Sequence, residues 1–113
     1  MMRRGDIRWY SFPSPDKRRP VLILTRSSAI RFLTSITVAP ITTVIRDIPS
    51  EALLTPEDDG VPQLCAVNLD NLQTVRKEKL GAVITTLSRS RLKDAEQAIC
   101  FALGMDDRWL MNG

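Results

Sequence analysis

Whatever chemistry this chain performs, it performs without imidazole. The sequence contains no histidine. That removes paired-imidazole acid/base catalysis, Ser–His and Cys–His nucleophile systems, and nearly all zinc enzymes. Its two cysteines, Cys65 and Cys100, stand far apart in the chain. They form no C-x-x-C pair, no metal-ligand cluster and no disulfide framework, which fits a reducing cytoplasm. The cations are more suggestive. Twelve of the sixteen Lys and Arg residues are arginine, whose planar fork suits bidentate phosphate contacts. They are also unevenly placed. Residues 1–50 carry nine cations against three acids, residues 51–113 seven against ten, giving +6 and −3 and the net +3. A polyanionic partner for the N-terminal half is one reading, and a solvated basic face is the other.

Such side chains need elements to hold them. The 113 residues make one domain, 1–113, with a single core. Hydrophobic residues at 43% and charged residues at 26% suit a folded chain. No apolar run approaches the ~18 residues of a membrane span, and the polar start Met1–Asp6 lacks a signal peptide's apolar centre. From Asp6 to Phe12, period-two patterning with aromatics predicts a strand. Pro13–Arg18 is a turn with a basic end. Pro20 takes the first position of a strand over Val21–Thr25, whose unbroken apolarity predicts cover on both faces. Residues 26–34 form a loop with at most one helical turn.

Ser35–Ala39 alternates, and Pro40 predicts an edge or a bulge before Ile41–Val44. Glu51–Leu54, Cys65–Leu69 and Gly81–Thr85 are further short strands. Thr55–Gly60 is expected to be a solvated acidic loop, and Asp70–Thr74 a polar connection. Leu92, Ala95, Ile99, Ala102 and Leu103 recur at helical spacing opposite Lys93, Asp94, Glu96 and Gln97. Ser88 or Ser90 can cap the start of that helix and Gly104 its end. About six short strands and one amphipathic helix predict a mainly β fold: a small, strongly bent antiparallel sheet or barrel covered by a C-terminal α-helix.

Several segments in this order resemble one family. Arg4-Gly5-Asp6-Ile7 resembles the opening of MazF/PemK toxins, and Arg19-Pro20-Val21-Leu22-Ile23-Leu24 their second block. Thr37–Thr43 resembles the third and Val67–Val75 the fourth, with Leu80-Gly81 and the terminal helix completing the order. The resemblance covers nearly the whole chain.

The resemblance implies an SH3-like barrel that pairs into a homodimer and acts as a toxin-type endoribonuclease. Such an enzyme cuts single-stranded RNA at short sequences without metal or other cofactor. It leaves 2′,3′-cyclic phosphate and 5′-hydroxyl ends, and a cognate antitoxin protein silences it. RNA supplies its own nucleophile, the 2′-hydroxyl, so the protein has to align, neutralise charge and manage two protons.

Arg19 matches the family's catalytic arginine, suited to holding phosphate oxygens rather than donating a proton. Thr42 matches the catalytic threonine, and Asp70 an acid that some members place as general base. Two positions before Asp70, where some members have an arginine, this chain has Asn68. Ser14, Lys17 and Arg18 of the first loop, with Asn68, Asn71 and Gln73 of the fourth block, are the candidate RNA-binding residues. Trp9 and Tyr10 are more readily packing residues than base-stacking ones, Trp109 pins the C-terminus, and both cysteines are core residues. Two other functions share such a fold: a CcdB-like gyrase inhibitor, and a barrel that binds RNA without cutting it.

Overall fold

The computed structural model describes residues 1–13 and 17–105. Strand β1 (Asp6–Ser11) and strand β2 (Arg18–Ile23) form a hairpin in the register Tyr10↔Arg19 and Ile7↔Leu22. Pairing with β1 extends β2 back to Arg18, so Pro20 is its third residue rather than its first. One helical turn, α1 (Ser27–Ile30), leads to β3 (Ser35–Thr42), the longest strand. Then come β4 (Glu51–Leu54), the short helix α2 (Pro56–Asp59), β5 (Cys65–Asn68) and β6 (Gln73–Arg76). A 3₁₀ turn (Lys77–Lys79), β7 (Val83–Thr86) and helix α3 (Arg89–Ala102) finish the order.

All pairing is antiparallel, and the sheet runs β4-β5-β3-β2-β1-β7 with β6 also on β3. Strand β3 is therefore central, not an edge. On one side it pairs with β2. On the other, Ser35–Val38 pair with β6 and Ile41–Thr42 with β5. Pro40, which has no N–H to give, lies between those two partners, so the strand changes neighbours at a residue that could not donate.

The change of partner bends the sheet into a half-barrel with two apolar faces. Ile7, Leu22, Leu54, Val67 and Leu69 fill the inner one, closed by Ala95 and Ala98 of α3. On the outer face Val21, Ile23, Ile36, Val38 and Val75 are buried under Ile30, Tyr10, Phe12 and Leu80. Thus the apolar run of β2 is covered on both sides, as its composition predicts. Tyr10 and Phe12 meet edge to face, ring centroids 4.8 Å apart.

Ser88 is the N-cap of α3, its hydroxyl accepting the Arg91 N–H at 3.2 Å. Leu103, placed by helical spacing on the buried stripe, is exposed beyond the end of the helix. Cys65 is buried, but Cys100 lies exposed on α3 and is not a core residue.

The acidic stretch 55–60 is not a solvated loop. Thr55 caps α2 by accepting the Asp58 N–H, Pro56 starts the helix, and Gly60 ends it in the left-handed region at φ 73°. A Cβ at Gly60 would come within 2.8 Å of Thr85 Oγ1. Asp59 turns inward: one oxygen accepts the Thr55 N–H at 2.8 Å, the other the Arg91 Nε at 2.9 Å. This pair ties α2 to α3.

A second buried carboxylate explains the Arg4–Ile7 signature. Asp6 accepts the Arg3 N–H and the Thr86 hydroxyl, at 3.1 and 2.8 Å, and so clamps β1 to β7. Residues 73–76, expected as connection, form β6 because Val75 docks beside Ile36 on the outer face. Among the described residues no helix is long and apolar enough to cross a membrane.

Candidate active site

Register brings Arg19 and Thr42 together. Val21 stands opposite Pro40. Two residues further along each strand, the same register sets Arg19 level with Thr42 and on the same face. Both side chains line a cleft of about 240 Å³ at the end of these strands. Both also line a second cleft of about 390 Å³. Arg19 is exposed, and none of the ion pairs among the described residues involves it. Its fork is presented to the cleft rather than spent on the fold.

Thr42 is half-buried, and its Oγ1 accepts the Val44 N–H at 3.0 Å. That bond occupies an acceptor site and leaves the hydroxyl proton to be donated into the cleft.

Three of the expected RNA-binding residues join them in the smaller cleft: Asn68, Asn71 and Gln73. Asn68 ends β5, and its Oδ1 accepts the Asp70 N–H at 3.1 Å in an Asx turn. The turn leaves the Asn68 amide NH₂ as a donor. Gln73 opens β6 opposite Val38. Arg18 belongs to the larger cleft, its guanidinium 4.3 Å from the centroid of the Trp9 ring. Pro20, Ile41 and Cys65 give that cleft apolar walls.

The remaining expected residues are not brought to either cleft. Lys17 is exposed but lines neither. Asp70 is exposed at the turn after β5, where its carboxylate accepts the hydroxyl of the buried Ser50. It is outside both linings. Ser14 and Trp109 fall outside the described residues.

Sequence reasoning missed Phe12, Arg46 and Glu51, all on the smaller cleft. Glu51 faces Asn68 across the β4–β5 pair, and Phe12 follows β1 near the hairpin. Strand register and the turn after β3 disclose them, since none of the three carries a local signal.

Burial, and secondly the negative charge of Asp59, push the Cys65 thiol up to about 11. It stays protonated near neutral pH and is no nucleophile despite lining the larger cleft. Among the described residues no three Cys, Asp or Glu side chains converge as metal ligands. What the site offers is an exposed guanidinium, a hydroxyl donor and a set of amides. That set suits an anionic, hydrogen-bonding polymer.

Fold and cleft together define a small bent-sheet barrel presenting cationic and amide groups at the ends of its central strands. The sequence model of PemK-like, MazF-like toxins of type II toxin-antitoxin systems matches residues 3–103. The chain is 39% identical over 100 residues to the probable endoribonuclease MazF5 of Mycobacterium tuberculosis, covering 88% of this chain and 87% of that protein. It is 42% identical over 93 residues to endoribonuclease MazF3 of the same organism, covering 80% and 87%. The solved Mycobacterium tuberculosis toxin MazF-mt6 superposes with a TM-score of 0.80 at 37% identity, over 89% of this chain and 98% of that one. This chain belongs to the MazF/PemK-like toxin family.

Proposed function

We propose that the chain is a toxin endoribonuclease that cleaves single-stranded RNA at the strand ends carrying Arg19 and Thr42. The observation that carries the reading is their placement: level with each other, on one face, both lining the cleft. Two relatives at 39% and 42% identity are named endoribonucleases, which supports the activity.

In the proposed reaction the ribose 2′-oxygen forms a bond to the adjacent phosphorus and the P–O5′ bond breaks. The 2′-hydroxyl proton passes to a base and O5′ takes up a proton. The products are a 2′,3′-cyclic phosphate and a 5′-hydroxyl. Arg19 holds non-bridging oxygens and offsets the charge that grows on the phosphorane, and the Thr42 hydroxyl donates to one of the same oxygens. No metal or cofactor takes part.

Asp70 enters as general base from the rim, which requires its carboxylate to exchange the Ser50 hydroxyl for the 2′-hydroxyl. Asn68, Asn71 and Gln73 read base edges beside the cut, and Arg18 with Lys17 and Ser14 of the first loop holds the flanking strand. The working form is a homodimer in the cytoplasm, and a cognate antitoxin blocks the cleft.

The test is purified protein with a panel of single-stranded RNAs in EDTA, followed by end-group analysis. Fragments ending in 2′,3′-cyclic phosphate, lost with Arg19→Ala and with Thr42→Ala, are the expected result. RNA that stays whole across the panel overturns the reading.

A further inference from the structure

The loop between β3 and β4 is braced against a single carboxylate. Asp47 sits at φ 55°, the only non-glycine residue with positive φ among those described. The turn this produces aims two successive backbone N–H groups, those of Arg46 and Asp47, at Glu51 Oε1, at 2.9 and 3.2 Å. The Glu51 N–H in turn donates to the Ile48 carbonyl at 3.0 Å. A left-handed non-glycine residue is strained, and here the surrounding bonds hold it. The residue so fixed is Arg46. It is exposed, takes part in none of the ion pairs among the described residues, and lines the same cleft as Arg19, Thr42 and Asn68.

From this arrangement we propose that Arg46 is a second phosphate-binding cation of the cleft, positioned by Glu51. The inference rests on the endoribonuclease reading and extends it to a residue outside the motif blocks. The chemistry calls for such a group. A phosphodiester carries one negative charge, and the phosphorane formed by 2′-oxygen attack carries a second. One guanidinium supplies one positive charge. With Glu51 as the acid on the cleft lining, Arg19 and Arg46 together leave a net positive cavity into which the anionic centre fits. Glu51 does not cancel this cheaply, because Oε1 is already directed at the two backbone N–H groups. Arg46 thus acts on the RNA, and Glu51 acts through Arg46.

The experiment compares wild type, Arg46→Ala and Arg46→Lys. Single-turnover cleavage of a susceptible RNA is measured. So is binding of the same RNA carrying a 2′-deoxy sugar at the cut, which lacks the nucleophile. Losing a charge-stabilising contact is expected to slow cleavage about 10- to 100-fold in Arg46→Ala. For a single strand, the salt slope of binding should fall by about 0.7, the value for one phosphate contact. Arg46→Lys keeps the slope.

Glu51→Gln, whose amide oxygen still accepts the loop N–H groups, should cut within about fivefold of wild type, while Glu51→Ala should fall at least about tenfold. Cleavage by Arg46→Ala within about threefold of wild type overturns the inference, and so does slow cleavage with an unchanged salt slope. Both results leave the nuclease reading intact, whereas whole RNA with the wild-type protein overturns that reading instead.

Discussion

Replacing Thr42 by valine isolates one proton. The two side chains have the same shape, so local packing is kept and only the hydroxyl goes. Two things are lost. The first is the acceptor for the Val44 N–H at 3.0 Å. Val44 is exposed, so water replaces that partner and the cost to stability should stay below about 1 kcal/mol. The second is the donor aimed at the cleft. If it stabilises a phosphorane oxygen, its removal should slow the chemical step by about 10²–10³, or about 2.7–4 kcal/mol. The kinetic effect should therefore exceed the stability effect several-fold.

Thr42→Ser, which keeps the hydroxyl, should cut within about tenfold of wild type. Single-turnover cleavage at saturating protein gives the chemical step, and a thermal melt of each variant gives the stability term. A combined Arg19→Ala/Thr42→Val protein should lose less than the product of the single losses, because both groups act on one phosphorane. Thr42→Val cutting within about threefold of wild type, or Thr42→Ser falling as far as Thr42→Val, would refute the assignment of this hydroxyl as donor.

Arg19→Lys retains charge but loses the fork, so it should recover only part of the ~10²–10³-fold loss expected of Arg19→Ala in the same cleavage assay. Asp70→Asn should lower single-turnover cleavage by about 10²-fold; a loss of less than about threefold would exclude Asp70 as the base. Cys65 is neutral in folded and unfolded chain below about pH 9, and between about 9 and about 11 only the unfolded thiol ionises. Stability should therefore fall across that window by up to about 2–3 kcal/mol, and chemical denaturation of Cys65→Val should show a flatter alkaline limb than wild type. Arg91→Ala leaves the Asp59 carboxylate, 2% exposed, without its guanidinium; since Arg91 itself is 26% exposed, the expected loss is about 2 kcal/mol, read as a fall in Tm of about 8 °C.

Local patterns in the sequence disclose most of the elements and little of their neighbours. Period-two alternation marks β1 and β3, unbroken apolarity marks β2, and serine and glycine bracket α3. Each of these signals lies within a few residues. Strand β6 escapes because only Val75 of its four residues is buried; its stability comes from pairing with Ser35–Val38, far away in the chain. Asp58 and Asp59 read as solvated because their partner, Arg91, is more than thirty residues distant. Yet Thr55, Pro56 and Gly60 already follow the N-cap, first-turn and C-cap rules for a short helix. Arg19 and Thr42 are visible through their motif blocks. Arg46 and Glu51 are not, because what places them is the β4–β5 register and one left-handed turn.

Pro40 connects the fold to the chemistry. Had β3 kept one partner along its whole edge, its last residues would lie in the middle of a continuous ladder, closed in on both sides. A proline at position 40 ends the pairing with β6, and β5 joins only at Ile41 and Thr42. Thr42 then pairs with Ala66 of β5, while the first residue of β6 and the last of β5, Gln73 and Asn68, flank the gap at Pro40 and line the cleft with it. On the other side β2 meets β3 from Val21 onward, which leaves Arg19 exposed next to Thr42. Substituting alanine at Pro40 restores an N–H at the gap between β6 and β5. The sheet should remain folded, but the angle between the two partner strands would no longer be pinned. Cleavage should then suffer more than stability, and equal losses in both would show that the proline serves the core alone.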